Sequence, residues 1–279
     1  MDSTPTEIAP GPDGNLWFTE SDGNKIGRVT VTGNITEFPL PSPSVVPQGI
    51  TAGPDGNMWF TELAGKIGRI TPSGTITEYP IAYRPWLIDS GPDGNIWFTI
   101  DSPGGALNKL GVITPAGVVS DRTIFTGTDP PLGAVGITGK AADGNIWFAQ
   151  TQARRIGRMT TAGTSYAWSA TSNVGAQRIA AGSDGNLWFA GVTVVGRVTP
   201  MGVVTEFPLP DGRFATTYVA IIAGPDGNVW FGLPDGLGRI TPNGTITLFP
   251  VPAPWGIAPG PDGNIWYLEA GHVARFLVP

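Results

Sequence analysis

Three glutamates, Glu20, Glu62 and Glu269, each stand three residues after a tryptophan in a recurring segment. The only histidine of the chain, His272, follows the last of them by three residues. Carboxylates gathered with an imidazole can hold a hard divalent ion such as Mg or Ca, or do acid–base work. The candidate metal ligands are therefore Glu20, Glu62 and Glu269, and the candidate catalytic pair is Glu269 with His272. The competing reading makes them solvated charges that pair with Lys25 and Lys66. Other copies of the segment carry Ile100, Gln150, Gly191 and Leu233 at this position, and Asp101 is next in line in the third copy.

A second set of positions lies seven residues before the aspartate of each recurring Asp-Gly-Asn turn. It reads Thr6, Gln48, Trp86, Gln177, Val219 and Trp255, with Val135 in the fourth copy after one insertion. These residues vary although their neighbours repeat. Variation where the scaffold gives no reason for it points to a surface shaped for a ligand. Gln48, Trp86, Gln177 and Trp255 are the candidate ligand-binding residues, and a mere plug for a central channel is the competing reading.

The element that must position both sets is the repeat itself. Asp-Gly-Asn recurs at Asp13, Asp55, Asp93, Asp143, Asp184, Asp226 and Asp262, at spacings of 42, 38, 50, 41, 42 and 36 residues. Each copy continues with an aliphatic residue, a tryptophan and an aromatic. A period near 40 is that of stacked units or propeller blades. In the second copy, Gly49–Ala52 reads as a short strand and Pro54–Asn57 as a tight turn, with Pro presetting φ and Gly supplying positive φ. Met58–Thr61, Lys66–Thr71 and Thr75–Pro80 read as three further strands with alternating residues. No segment sustains a helical period. The expectation is an all-β, seven-bladed β-propeller, one domain over residues 1–279, with four antiparallel strands per blade. The seven repeat tryptophans and the turn aspartates are then structural, and the Arg of Ile-Gly-Arg is a partner on the blade surface.

Two irregularities stand out. The third blade has an enlarged loop, Asp101–Asn108, and a long exit, Thr126–Leu132; insertions in repeat proteins often map to the functional face. The seventh blade ends with a third strand, His272–Val278, so it is expected to be incomplete, with an open edge able to pair with another strand.

Composition narrows the classes. Forty-one glycines and 28 prolines among 279 residues read as turn punctuation once the repeat is seen. The net charge of −6 and the absence of any basic stripe exclude nucleic acid as a partner. No run of apolar residues is long enough to span a membrane, and zero cysteines exclude disulfides and thiolate metal sites. The N-terminus shows no signal region. A cysteine-free chain suits export, so a secreted, periplasmic or extracellular location is expected over a cytoplasmic one.

The repeat Gly-Pro-Asp-Gly-Asn-x-Trp-Phe-Thr-Glu…Lys-Ile-Gly-Arg-Ile-Thr-Pro-x-Gly…Ile-Thr-Glu-Phe-Pro resembles that of the streptogramin (virginiamycin B) lyases over nearly the whole chain. The resemblance implies a seven-bladed propeller. For the enzymes of that family it also implies a magnesium-dependent β-elimination that opens a cyclic depsipeptide at its ester. It further implies histidines just before the innermost strands of the last two blades, in a Pro-His-Gly/Ala-Ile context. Here those segments read Tyr218-Val219-Ala220-Ile221 and Pro254-Trp255-Gly256-Ile257. Val219 and Trp255 thus replace both histidines, while Glu269 retains the family carboxylate one residue out of register.

A base that takes a carbon-bound proton needs a pKa near the working pH. Valine and tryptophan have none. The expectation is a lyase-like propeller that binds a small-molecule or polymer ligand at its top-face mouth without streptogramin lyase activity. Two alternatives stay open. One is a metal-dependent carbon–oxygen lyase or lactone hydrolase using Glu269 and His272, as gluconolactonase-like propellers use a metal. The other is a structural or sensor propeller that binds a protein or a cell-wall polymer.

Overall fold

The computed structural model describes residues 4–101, 109–124, 134–151, 153–169, 175–210 and 220–279. These residues form seven antiparallel sheets with strands in chain order across each sheet, six of four strands and one of three. In the second blade the strands are Pro47–Ala52, Met58–Glu62, Lys66–Ile70 and Ile76–Pro80, within two residues of the sequence expectation. The seventh blade comprises Gly256–Pro259, Ile265–Glu269 and His272–Phe276, and no other described residue adds a fourth strand to it. Most of the third-blade loop and all of its exit, Thr126–Leu132, lie outside the described residues, as does Val219.

Each blade is held by one unit of the repeat. The turn aspartate accepts a hydrogen bond on Oδ1 from the indole Nε1 of its tryptophan, at 2.9–3.1 Å in all seven blades. Left unpaired, that buried N–H would cost roughly 1–3 kcal/mol. The same aspartate takes the backbone N–H of the turn asparagine, as Asp55 does from Asn57. Burial alone would raise the carboxyls of Asp13 and Asp55. Hydrogen bonds from tryptophan and asparagine outweigh it and hold both below the ordinary range.

The tryptophan then carries the blade outward and sideways. In five blades its ring stacks on a ring of the outermost strand, Trp59 on Tyr79 for instance, with centroids 5.2–5.7 Å apart. The recurring arginine lies over these rings, Arg69 at 5.5 Å from the Trp59 centroid. Its guanidinium reaches the next blade: Arg28 donates to Pro72 O, Arg69 to Pro115 O, Arg158 to Pro200 O and Arg197 to Pro242 O. Arg275 of the seventh blade donates to Val31 O of the first, which closes the ring. The arginine is therefore a tie between blades as well as a surface partner.

Packing alternates along each second strand. Met58 and Phe60 face the first blade, where they meet Trp17 and Ile26, while Trp59 faces the third, where it meets Ile96 and Phe98. Phe60 lies flat on Gly68, where a Cβ would stand 2.1 Å from the ring. Gly68→Ala is expected to destabilise the protein by about 1–3 kcal/mol through overpacking. A urea denaturation midpoint unchanged from wild type would contradict this packing.

Candidate functional site

The innermost strands all begin at one end of the ring, and the second strands end there. The register makes this explicit, with Pro5 opposite Glu20 and Pro47 opposite Glu62. The seven aspartate turns lie at the far end. Both sequence-selected rings therefore gather at one mouth.

A threonine clamp fixes the part of the inner ring that carries Gln48 and Trp86. In the first blade the hydroxyl of Thr19 accepts the N–H of Glu7 and donates to Gln48 O in the next blade at 2.7 Å. Thr61 accepts Gly49 N–H and donates to Trp86 O in the same way. In these two blades a threonine thus pins the backbone of a residue of varying type, whereas blades four to seven carry Ala149, Ala190, Gly232 and Leu268 at that position. Sequence reading passed over these threonines, although their place two positions after the tryptophan was visible.

The mouth holds a cavity of about 350 Å³, lined by Thr6, Gln48, Trp86 and Trp255 together with Thr4, Pro5, Glu7, Leu87 and Arg178. Three of the four candidate ligand-binding residues line it; Gln177 precedes Arg178 but does not. Trp255 donates its indole N–H to Pro5 O at 2.8 Å, and Gln48 donates its amide to Ser21 Oγ at 2.8 Å. Gln48 is delivered by a strained loop. Val46, two residues before it, has φ 54°, a conformation that is a genuine outlier for a β-branched residue. Such strain concentrates at functional sites.

Across the floor of the cavity Glu7 of the first blade and Arg178 of the fifth form an ion pair at 2.9 Å. They also line a second cavity of about 230 Å³ in the channel beneath. There Asp89 accepts from Thr51 Oγ1, Thr138 Oγ1 and Gly139 N, and pairs with Lys140. Glu7, Arg178 and Asp89 were missed in the sequence. Their signal was charge at inner-strand positions where other blades carry small or apolar residues.

The acidic trio requires a correction. Glu20, Glu62 and Glu269 do sit at the mouth end of their strands, but side-chain alternation sends each into a different seam. Glu20 shares a face with Leu16 and Phe18, against the seventh blade. Glu62 shares one with Met58 and Phe60, against the first blade. Glu269 shares one with Ile265 and Tyr267, against the sixth. No group of three or more His, Asp or Glu among the described residues is placed to hold a metal ion. The lysines opposite two of the trio also serve outer-strand carboxylates. Lys25 pairs with Glu37 at 2.5 Å, and Lys66 with Glu78 at 2.6 Å.

His272 stands opposite Glu269 in the seventh blade and is exposed, and neither lines the mouth cavity. Glu269 buries Oε2 with no hydrogen-bond partner. Tyr267 on the same face has its hydroxyl pKa pushed up, first by burial and then by Glu269.

Glu62 is a strongly perturbed acid. It is fully buried, and neither carboxyl oxygen has a hydrogen-bond partner. Burial first, then the charge of Glu78, push its pKa up to about 8, against the opposing pull of Lys66. The folded state therefore keeps a proton that the unfolded chain releases from about pH 4.5 upward. The stability this proton carries is full below that pH and is lost as pH rises through 8. Glu62→Gln is expected to match wild type near pH 4 and to exceed it at pH 9 by at least about 1 kcal/mol, or about 2 °C in Tm. A pH-independent difference between the two would show that Glu62 is ionised in the fold.

The fold and mouth define a closed seven-bladed propeller with a ligand-sized cavity at the head of its channel. Family comparison agrees with that class and narrows it. The model of the virginiamycin B lyase family matches residues 1–138 and 134–278. The chain belongs to the virginiamycin B lyase family. Among solved structures, a streptogramin B lyase is 30% identical with a TM-score of 0.88, covering 98% of this chain and 93% of that one. Selenomethionine-substituted virginiamycin B lyase from Staphylococcus aureus is 32% identical with a TM-score of 0.88, covering 100% and 96%. A catalytically inactive histidine-to-alanine variant of the S. aureus enzyme, with quinupristin, is 31% identical with the same TM-score and coverage. Virginiamycin B lyase of Bordetella pertussis is 53% identical over 34 residues, a stretch that spans 12% of this chain and 11% of that relative.

Proposed function

We propose that this propeller binds a ligand in its mouth cavity and does not carry out the streptogramin lyase reaction. The observation that supports this most directly is Trp255. It stands where the family resemblance places a histidine, it lines the cavity, and its indole N–H is committed to Pro5 O. An indole cannot take a carbon-bound proton at working pH. The S. aureus variant solved with quinupristin lost a histidine and is catalytically inactive. This chain lacks, in its own sequence, both histidines of the last two blades, and its one histidine lies at the seventh-blade edge.

The magnesium of the family fares no better. The residues present do not fit it, because Glu20, Glu62 and Glu269 enter three separate seams. A second reading, a lactone hydrolase built on Glu269 and His272, draws on their opposition in the seventh blade and on the orphaned buried oxygen of Glu269. It places the chemistry away from the cavity.

Incubation with quinupristin and magnesium, followed by mass spectrometry, tests the proposal. The cyclic compound is expected to stay intact, with no mass gain or opened ring. Linear product that vanishes in Glu269→Gln would overturn it and favour chemistry at Glu269.

A further inference from the structure

Resting on the reading of the mouth as a ligand site, we propose that the cavity is a saccharide site. It takes a neutral pyranose ring between Trp86 and Trp255, with the ring's hydroxyls on Glu7, Arg178 and Gln48. Four features of the cavity carry this.

The first is the pair of indoles. Trp86 belongs to the third blade and Trp255 to the seventh, so they line the cavity from well-separated parts of the ring. Trp255 has already donated its N–H to Pro5 O, so what it offers a ligand is ring surface. An aromatic face is electron-rich and attracts the positive ends of C–H bonds. A pyranose presents a face of such bonds, with hydroxyls around its edge.

The second is the charge of the floor. Glu7 and Arg178 neutralise each other at 2.9 Å. An anionic ligand would have to displace Glu7 from Arg178, and a cationic one would have to displace Arg178 from Glu7. The whole chain carries −6, which further disfavours an anion. A neutral ligand meets neither cost.

The third is the balance of donors and acceptors. The amide nitrogen of Gln48 is spent on Ser21 Oγ, which leaves its carbonyl oxygen to accept. Glu7 is a further acceptor, with one oxygen engaged by Arg178, and the guanidinium has further N–H groups to donate. Neighbouring hydroxyls both give and receive, and so satisfy a carboxylate and a guanidinium lying side by side.

The fourth is size. About 350 Å³ lies at the small end of ligand pockets, which run roughly 300–1,000 Å³. One or two sugar rings suit it. The same ring chemistry serves a free oligosaccharide or the glycan of a cell wall.

The test is titration of the whole chain with cellotetraose, chitotetraose and quinupristin, followed by tryptophan fluorescence and calorimetry, together with co-sedimentation on peptidoglycan. At least one tetrasaccharide is expected to bind and to change the fluorescence. Trp86→Ala and Gln48→Ala should weaken it by at least about tenfold, while Trp86→Phe, which keeps an aromatic face, should retain most of the affinity. Co-sedimentation as well as tetrasaccharide binding would assign the source to cell-wall glycan, and tetrasaccharide binding alone to free sugar. If no saccharide binds while quinupristin does and loses affinity in Trp86→Ala, the saccharide inference is overturned and the mouth reading stands. If a probe binds with equal affinity to wild type, Trp86→Ala and Gln48→Ala, both fall. Binding by none of the probes overturns the saccharide inference.

Discussion

The bond from each tryptophan indole to its turn aspartate is the interaction on which the rest of the molecule depends. It buries a large ring without leaving its N–H unpaired, and it fixes that ring so that an outer-strand aromatic and an arginine can stack on it. The arginine then passes the constraint on, by donating to a carbonyl of the following blade. Arg275 does this for the first blade, and where no arginine tie crosses among the described residues, from the third blade with its Val112 and from the sixth, the apolar seams join the neighbours. A set of blades that could each fluctuate alone becomes one closed ring.

That division of labour explains why the mouth is free to vary. Stability resides in the aspartate turns, the stacked rings and the seams, most of it away from the mouth. The threonine clamps hold only the backbone of the inner ring, so Gln48 and Trp86 can differ in side chain without disturbing their neighbours. Evolution of a new ligand preference in such a frame requires changes at few sites. The charged pair Glu7–Arg178 shows that the cavity floor has its own chemistry.

The fold was legible because its causes are local and repeated. Asp-Gly-Asn followed by tryptophan states a turn, a strand and their mutual bond within five residues, and the period supplies the rest. The candidate ligand residues could be found because they broke that period. The acidic trio misled for a physical reason. Equivalent register placed all three glutamates at the same end of their strands, but strand alternation and ring geometry send equivalent side chains into successive seams rather than into a common centre. The Glu7–Arg178 pair was hidden for the converse reason: its partners are 171 residues apart, in blades one and five, and only the closed ring brings them together. Arg69 and its equivalents were recognised as structural, yet their reach into the next blade needed the three-dimensional spacing.

The central claim is that the aspartate–tryptophan bonds, the arginine ties and the apolar seams together couple all blades into one cooperative structure, independent of the mouth. Native-state hydrogen exchange of the indole N–H protons tests it most directly, since exchange reports whether a segment opens locally or only with the whole molecule. The seven indole protons held by the turn aspartates are expected to exchange slowly and at one shared opening free energy, which Trp86→Ala leaves unchanged. Opening free energies that differ blade by blade, or that fall together when Trp86 is truncated, would contradict it.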